Sequence, residues 1–243
     1  MIVPPPLHAV IAAAEAPEAF IRDSTVLTET PLVPEIPLHV ASEVVPLWHL
    51  TEEELGRAGL PPPFWAFAWA GGQALARYLL DHPERVRGKV VLDFGAGSGL
   101  VAIAAARAGA SHVLAADIDP FALAAIRLNA RANGVRIEVT DRDLVGDPMA
   151  GFEVVLAGDV FYERPTARAI ESWLRMLAGT GRDVLVGDPR RSFFPGAGMR
   201  QVTAYAVKTT REIEDSDVRN AAVWELMPAG ADGEAAPGAD ASG

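Results

Sequence analysis

The fold of this chain is decided by Val90–Gly99, VVLDFGAGSG. A short apolar run ends at Asp93 and gives way to glycines at every second position, and an Ala-rich run follows. This pattern predicts a buried strand, a tight turn and a helix. Glycines let the backbone approach a ligand that a Cβ would hold away, and the first amides of the helix point at the same place. The stretch therefore predicts a nucleotide-type site at the carboxyl end of a parallel strand.

Two kinds of ligand suit this turn. Gly97, Gly99 and Ala102 satisfy the G-x-G-x-x-A fingerprint of dinucleotide-binding proteins. Asp93 favours another ligand, because a carboxylate just before the turn repels a pyrophosphate but suits an ammonium and a sulfonium. S-adenosylmethionine carries both cations, and the D-x-G-x-G-x-G pattern resembles motif I of the seven-strand methyltransferases. A nicotinamide or flavin is the alternative ligand, and a purely structural turn is the third interpretation.

Length and composition narrow the class of protein. The chain has 243 residues, half of them hydrophobic, which suits one sizeable domain with an N-terminal extension. It has no cysteine, so disulfide scaffolds, thiol catalysis and zinc–cysteine sites are excluded. No apolar run approaches the ~20 residues of a membrane span, and the N-terminus lacks the pattern of a secretion signal or transit peptide. We therefore expect a cytoplasmic protein with no membrane partner.

Charge is unevenly spread along the chain, whose formal net charge is −11. Residues 1–60 hold nine acidic and two basic residues, residues 61–227 hold twenty and nineteen, and residues 228–243 hold three acidic and no basic residues. Because proteins that bind nucleic acid usually gather basic residues, we expect no nucleic-acid substrate. The acidic extension suits a cationic partner, such as a protein surface that bears lysine or arginine. The same charge could instead serve only solubility.

From residue 61 onward, strands and helices are predicted to alternate. The five predicted strands are 89–93, 112–117, 136–140, 153–158 and 183–187, and the predicted helices are 71–80, 99–108, 120–133 and 166–178. Two later strands, near 201–208 and 221–227, look like an antiparallel pair at the sheet edge. This order predicts an α/β fold with a Rossmann-like, doubly wound sheet of seven strands. The expected divisions are an acidic extension packed on the core, 1–60, a methyltransferase-type domain, 61–227, and a disordered tail, 228–243.

The end of the second predicted strand supplies a candidate ribose ligand. Asp117 lies 18 residues beyond Gly99, where an acid can accept hydrogen bonds from both ribose hydroxyls. Asp119 is the neighbouring candidate. We prefer Asp117, because Asp119 with Pro120 is typical of the cap and first turn of a helix.

Two further cofactor candidates lie on either side of this region. Trp69 precedes Gly71 and Gly72, where the backbone could turn over a bound ligand, so Trp69 is a candidate lid. Asp141 follows the third predicted strand, where a carboxylate or a backbone group can contact an adenine amino group. Asp143 is almost as well placed, and either residue could belong only to a loop.

The segment Asp159–Tyr162, DVFY, follows the fourth predicted strand. The ends of adjacent central strands meet at the switch point where such sheets bind ligands. Asp159 and Tyr162 could therefore flank a transferring methyl group and an incoming amine. The alternative is a capping Asp followed by core aromatics. The five histidines are scattered and match no metal-ligand spacing, so we predict no metal site.

Several segments together resemble one family. They are TETPLVPEIPLHVA at 28–41, PFWAFAWAGGQALARYLLDHP at 63–83, LAADIDP at 114–120, GDVFYE at 158–163 and VGDPRR at 186–191. These segments closely resemble the lysine methyltransferases of the electron transfer flavoprotein β subunit, and the similarity covers roughly residues 20–227. The aromatic segment before motif I and the D-x-x-Y of Asp159 and Tyr162 are more specific to this family than the glycine motif.

The resemblance implies an S-adenosylmethionine-dependent protein-lysine N-methyltransferase that acts on the electron transfer flavoprotein β subunit. Methylation of a ribosomal protein or of a small-molecule amine is the alternative, and a nicotinamide-dependent oxidoreductase or a non-catalytic binding module is more distant. Asp159 and Tyr162 are the expected catalytic residues. The residues expected to bind the cofactor are Trp69, Asp93, Gly95, Ala96, Gly97, Asp117, Ile118, Asp141 and Gly158.

Overall fold

The structure is a computed structural model that describes residues 16–41, 62–209 and 217–227. The tail predicted to be disordered, 228–243, lies outside the described residues, as do the acidic segments 1–15 and 42–60. In the part of the chain that is described, no helix is both long enough and apolar enough to cross a bilayer.

Residues 16–41 form a small unit that packs on the rest of the chain. Helix α1 (Pro17–Ser24) is followed by strands β1 (Val26–Thr28) and β2 (Leu38–Val40), which pair antiparallel in a sheet of their own. Ile21 of α1 is fully buried against the aromatic cluster of Trp65 and Phe121. Apolar side chains from the hairpin also enter the main core, so this unit shares two hydrophobic clusters with the rest of the chain.

The following elements alternate as the sequence predicts. They are α2 (Ala70–Asp81), β3 (Val90–Phe94), α3 (Leu100–Arg107), β4 (His112–Ala116), α4 (Pro120–Ala132), β5 (Glu138–Thr140), β6 (Val154–Gly158), α5 (Arg164–Gly179), β7 (Asp183–Asp188), β8 (Met199–Lys208) and β9 (Val218–Leu226). Short 3-10 turns lie at Phe64–Ala66 and Pro83–Arg85. The seven strands are ordered β5-β4-β3-β6-β7-β9-β8. Neighbours from β5 to β7 pair in parallel, whereas β9 is antiparallel to both β7 and β8. The predicted α/β class and its antiparallel edge pair are confirmed.

Alternate residues of the central strands fill two separate cores. Val91 of β3 and Leu156 of β6 pack on the face that α2 and α3 cover. Leu92 and Val155 point to the opposite face and pack beneath α5. Because side chains of a strand alternate between faces, a continuous apolar run suits a strand that is covered on both sides.

The sheet reverses its winding between β3 and β6. The chain moves outward from β3 through β4 to β5, and then crosses back to β6 on the other side of β3. Loops at the carboxyl ends of these two neighbouring strands diverge, which leaves a crevice at this edge of the sheet. The glycine turn follows β3 and the Asp159–Tyr162 segment follows β6, so topology brings both predicted motifs to this crevice.

Candidate active site

The glycine turn is held by the end of a neighbouring strand. Gly95, Gly97 and Gly99 have φ angles of 65°, 52° and 82°, a left-handed conformation that glycine adopts without strain. The backbone amides of Gly95 and Ala96 donate to the carbonyl oxygen of Ala116, at 2.9 and 3.1 Å. The sequence therefore needs glycine here for backbone conformation, and β4 fixes the turn in position.

Asp117 directly follows β4, and it lies beside the glycine turn. Its Oδ2 accepts a hydrogen bond from the Gly97 amide at 2.8 Å, and its Oδ1 accepts one from the Asp119 amide at 3.0 Å. Each carboxylate oxygen has two lone pairs, so capacity for ribose hydroxyls is left. Burial raises the pKa of Asp117. The capping role of Asp119 is confirmed, because its Oδ1 accepts from the Phe121 amide at 2.8 Å.

Asp93 lies beneath the turn, with a relative exposure of 1%. Its Oδ2 accepts a hydrogen bond from the Ala102 amide in the first turn of α3, at 2.9 Å. Burial raises the pKa of Asp93 to about 8, and the nearby charge of Asp117 acts in the same direction. A buried carboxyl of this kind gains stability in its ionised form when a cation binds next to it. Asp93 therefore suits a ligand that carries an ammonium or a sulfonium.

One pocket brings most of the predicted site residues together. It lies between the glycine turn, the start of α2 and the end of β6, and its lining includes Trp69, Asp93, Gly95, Ala96, Gly97, Gly158 and Asp159. The remaining predicted residues, Asp117, Ile118, Asp141 and Tyr162, lie outside this lining.

Two of these residues, Ile118 and Asp141, follow the carboxyl ends of β4 and β5. Ile118 is 73% exposed, and Asp141 is exposed in the loop after β5. The Asp117 amide donates to the carbonyl oxygen of Thr140 at 3.1 Å, which keeps the two strand ends side by side. An exposed apolar side chain beside a polar loop suits an adenine ring, which has an apolar face and a hydrogen-bonding edge. The assignment of Ile118 and Asp141 to the cofactor site stays a prediction.

The predicted helix over 71–80 is present, and the backbone does not turn away from it at Gly71 and Gly72. Both residues belong to the first turn of α2, which begins at Ala70 with Trp69 as its N-cap. A Cβ on Gly71 would lie 2.3 Å from the carbonyl oxygen of Gly187. The glycines are needed because α2 rests directly on the backbone at the ends of β6 and β7, and sequence reasoning did not anticipate this close approach.

Trp69 forms one wall of the pocket and has partners on three sides. Its indole Nε1 donates to the carbonyl oxygen of Phe64 at 2.8 Å. Its ring centroid lies 5.9 Å from that of Phe64 and 5.7 Å from that of Phe67. The guanidinium carbon of Arg191 lies 5.1 Å from the Trp69 ring. These contacts hold the indole in place, and its predicted role as a lid stays a prediction.

Asp159 is held in an uncommon backbone conformation at the end of β6. Its φ is 58°, and its relative exposure is 8%. Its Oδ2 accepts from the Gly72 amide at 2.7 Å, and its Oδ1 accepts from Nε and Nη2 of Arg191 at 2.9 and 2.7 Å. A non-glycine residue with this φ is strained unless its surroundings hold it, and such residues are frequent at functional sites. The carboxylate is thus preorganised at the edge of the pocket.

Tyr162 is half exposed above the same edge of the sheet. Its ring centroid lies 5.2 Å from that of Phe64. Burial, with the charges of Asp117 and Glu163, raises the pKa of the phenol. Because a phenol already titrates near pH 10, Tyr162 keeps its proton at neutral pH and can donate a hydrogen bond.

Sequence reasoning missed Asp188, the last residue of β7, and Arg191, which follows that strand. Asp188 is fully buried, and its Oδ1 accepts from the backbone amide of Arg191 at 2.7 Å. Its Oδ2 is buried without a hydrogen-bond partner among the described residues. Burial and the charge of Asp159 raise the pKa of Asp188 to about 7. Both residues lie in VGDPRR, and the rule that selected Asp159, an acid at the end of a central strand, could also have selected Asp188.

Comparison with known proteins agrees with this geometry. Residues 74–158 match the family of ribosomal protein L11 methyltransferases (PrmA). The electron transfer flavoprotein β subunit lysine methyltransferase of Mus musculus is 38% identical over 221 residues, which cover 87% of this chain and 84% of the mouse protein. The Xenopus laevis protein of the same name is 37% identical over 222 residues, 89% of each chain.

This chain belongs to that lysine methyltransferase family. A crystal structure of the ribosomal protein L11 methylase from Lactobacillus delbrueckii subsp. bulgaricus is also similar, with a TM-score of 0.47 and 20% identity over 66% of this chain and 81% of that one. Family membership makes the chain an S-adenosylmethionine-dependent methyltransferase and removes the oxidoreductase alternative. This cofactor fits the site, because the glycine turn leaves its backbone accessible, the buried carboxyl of Asp93 suits a cation, and Asp117 has lone pairs left for ribose hydroxyls.

Proposed function

We propose that this enzyme methylates the ε-amine of a lysine on the electron transfer flavoprotein β subunit. The proposal is supported most by Asp159, a preorganised carboxylate that lines the same pocket as the glycine turn. The names of the mouse and Xenopus relatives supply the protein substrate. A second candidate substrate is a ribosomal protein, because residues 74–158 match the L11 methyltransferases.

We assign the cofactor site to residues at the carboxyl ends of β3 and β4. Gly95, Ala96 and Gly97 would offer backbone to the ligand, Asp93 would face its cationic end, and Asp117 would bind the ribose. When bound, S-adenosylmethionine supplies a methyl group on a positively charged sulfur, which accepts the electron pair of the broken carbon–sulfur bond.

The incoming lysine must lose a proton before it can react. An unperturbed lysine has a pKa of about 10.4, so neutralising it at pH 7 costs roughly 4–5 kcal/mol. A desolvated pocket lowers that pKa, whereas an adjacent carboxylate raises it. Asp159 therefore serves the reaction by orienting the amine rather than by stabilising its ammonium form. Its bonds to Gly72 and Arg191 keep it in one place, and alignment of reacting groups is a large source of rate acceleration.

The test compares Asp159→Asn with Tyr162→Phe, each of which keeps the side-chain shape. Single-turnover methylation of the purified β subunit is measured, with a purified ribosomal protein L11 as the second substrate. We expect Asp159→Asn to lower the rate by roughly 10²-fold, as for a misplaced reacting group. Tyr162→Phe should cost less, because one hydrogen bond contributes about 0.5–1.5 kcal/mol.

Cofactor affinity, measured in parallel by calorimetry, separates binding from transfer. We expect both variants to bind S-adenosylmethionine as the unmodified enzyme does. Transfer by Asp159→Asn at the unmodified rate would show that this acid is structural. Faster transfer to L11 than to the β subunit would favour the ribosomal substrate.

We also propose that the enzyme is cytoplasmic and that its partner is a protein rather than a nucleic acid or a membrane. The net charge of −11 supports a protein partner, because phosphate backbones are bound by basic surfaces. Incubating a cell lysate with labelled methyl donor identifies the acceptor directly. Label that disappears on nuclease treatment rather than on protease treatment would contradict the proposal.

A further inference from the structure

Arg191 joins three parts of the active site. Its backbone amide is bound by Asp188, so the turn after β7 is fixed by a buried carboxyl. Its guanidinium donates through Nε and Nη2 to Oδ1 of Asp159, which follows β6. The same guanidinium lies over the ring of Trp69, which precedes α2. A single cation therefore contacts both the expected catalytic acid and the aromatic wall of the pocket.

The ion pair between Arg191 and Asp159 changes the electrostatic environment of an incoming lysine. Asp159 alone would favour the ammonium form of the lysine, because an opposite charge within a few ångströms stabilises a charged group. Arg191 offsets that effect, since any amine that approaches Oδ1 of Asp159 also approaches the guanidinium. The side chains of Asp159 and Arg191 are only 8% and 16% exposed. Solvent and salt therefore screen their charges less than they screen charges on an open surface.

Other titratable groups lie on the elements around the pair. Asp188 ends β7 and binds the Arg191 amide, Asp93 of β3 lines the same pocket, and Asp117 binds the glycine turn. Tyr162 and Glu163 follow Asp159 along the chain, whereas the guanidinium of Arg190 lies over Trp224. The first turn of α2 contributes no titratable side chain. Burial and the charge of Asp159 raise the pKa of Asp188 to about 7, so this acid is only partly ionised at neutral pH. Burial raises the pKa of Asp93 to about 8 in the free protein, and in the loaded enzyme this carboxyl would face the cationic end of the cofactor. Neither acid therefore adds an uncompensated full negative charge next to Arg191.

We propose that Arg191 is a positioning residue that fixes Asp159 and favours the neutral, reactive form of the substrate lysine. The inference rests on the proposed function, since it requires a lysine in this pocket. A cation beside a reacting amine is a recognised way to keep the amine unprotonated. In this arrangement Asp159 orients the amine, while Arg191 removes the electrostatic advantage that the ammonium form would gain from that acid.

The test uses two neutral variants, Arg191→Gln and Arg191→Met, and one charge-keeping variant, Arg191→Lys. Arg191→Met preserves the apolar stem beside Trp69, so it separates loss of charge from loss of packing. The control is Arg190→Gln, which removes an equal charge one residue away, where the guanidinium lies over Trp224 instead. Cooperative unfolding and calorimetric cofactor binding establish that each variant is folded, and either neutral variant that meets both criteria decides the question.

The first readout is the pH dependence of single-turnover methylation, with cofactor and protein substrate saturating. Under these conditions the profile reports groups in the bound complex, including the lysine itself. We expect the half-maximal rate of the neutral variants to move about one pH unit higher than in the unmodified enzyme. At pH 7 that shift corresponds to an about tenfold lower rate. Arg191→Lys should retain most of the unmodified profile, and Arg190→Gln should superimpose on it.

The second readout needs no turnover. The pKa of the substrate lysine is measured by NMR, with ¹³C at its ε-carbon, in a complex with S-adenosylhomocysteine. It should be lower in the unmodified enzyme than in Arg191→Gln or Arg191→Met. Equal lysine pKa values and superimposed rate profiles would overturn the role of Arg191 while leaving the proposed function intact. Failure of the unmodified enzyme to methylate any protein lysine would overturn both.

Discussion

Each carboxylate oxygen of Asp117 already binds a backbone amide, one in the glycine turn and one at the start of α4. The acid therefore shapes the turn, and each of its oxygens keeps a lone pair that could accept a ribose hydroxyl. If Asp117 binds the ribose as proposed, the conformation of Gly97 is linked to the presence of the ligand. Removal of the Asp117 side chain should affect cofactor affinity through lost contacts and through a looser turn.

We expect Asp117→Ala to weaken cofactor binding by about 2–4 kcal/mol, because two hydrogen bonds to ribose are lost and the acceptor is charged. The measurement is calorimetric titration with S-adenosylmethionine, alongside thermal unfolding of the free protein. Glu171→Ala is a suitable control, since Glu171 lies on α5 and its carboxylate binds Arg175 of the same helix. An affinity equal to that of the unmodified enzyme would refute the assignment of Asp117.

At the scale of elements, the first turn of α2 packs against the carboxyl ends of β6 and β7. A Cβ on Gly71 would meet the Gly187 carbonyl oxygen at 2.3 Å, whereas a Cβ on Gly72 would have only ordinary contacts at 3.9 Å. We expect Gly71→Ala to destabilise the fold by about 1–3 kcal/mol or more, because the helix must move off the sheet. Gly72→Ala should cost nothing and could gain from its higher helix propensity.

Denaturant unfolding of the two variants tests this difference between neighbouring positions. They share a helix turn, a residue type and a substitution, so helix propensity cancels in the comparison. Equal free energies of unfolding for Gly71→Ala and Gly72→Ala would show that α2 leaves room for a Cβ between Gly71 and the Gly187 carbonyl oxygen.

A second contact between elements depends on Asn129 of α4, which is fully buried. Its Nδ2 donates to the Ser98 carbonyl oxygen at 2.8 Å, and its Oδ1 accepts from the His39 amide at 2.7 Å. One amide side chain thus ties the glycine turn to the N-terminal hairpin. We expect Asn129→Ala to lower the free energy of unfolding by about 2–4 kcal/mol, since each buried group left without a partner costs about 1–3 kcal/mol.

Denaturant unfolding measures this loss, and hydrogen exchange at the His39 amide reports whether the hairpin loosens. Asn220→Ala, at an exposed position of β9, controls for the loss of an asparagine. A free energy of unfolding within about 0.5 kcal/mol of the unmodified protein would contradict the bridging role.

At the scale of the whole molecule, residues 1–60 hold nine acidic and two basic residues and so contribute most of the net negative charge. If this extension attracts a basic protein substrate, raising salt from about 50 to about 500 mM should increase KM for the protein far more than for the cofactor. Neutralising the run Glu52–Glu54 to glutamine should reduce that salt response. Steady-state kinetics with each substrate varied in turn make the measurement, and equal salt responses for protein and cofactor would rule out recruitment by charge.

Local patterns in the sequence were enough to predict the sheet and the glycine turn that follows β3. The apolar run that ends at Asp93, the glycines that follow it and the acid at Asp117 each act through neighbours close in the chain. Strand periodicity, left-handed turns and helix caps are decided by a few consecutive residues, so a sequence pattern carries them. Alternation of such elements then allows few ways to wind a parallel sheet.

Only the tertiary structure decided which residues distant in the chain meet. Arg191 reaches Asp159 across 32 positions, and Asn129 reaches His39 across 90. Gly71 and Gly187 come into contact only when α2 packs on the sheet. Such contacts leave no period or spacing in the sequence, because they depend on how whole elements pack rather than on any residue's neighbours. The sequence therefore determined the scaffold and the glycine turn, while packing decided the partners of Asp159.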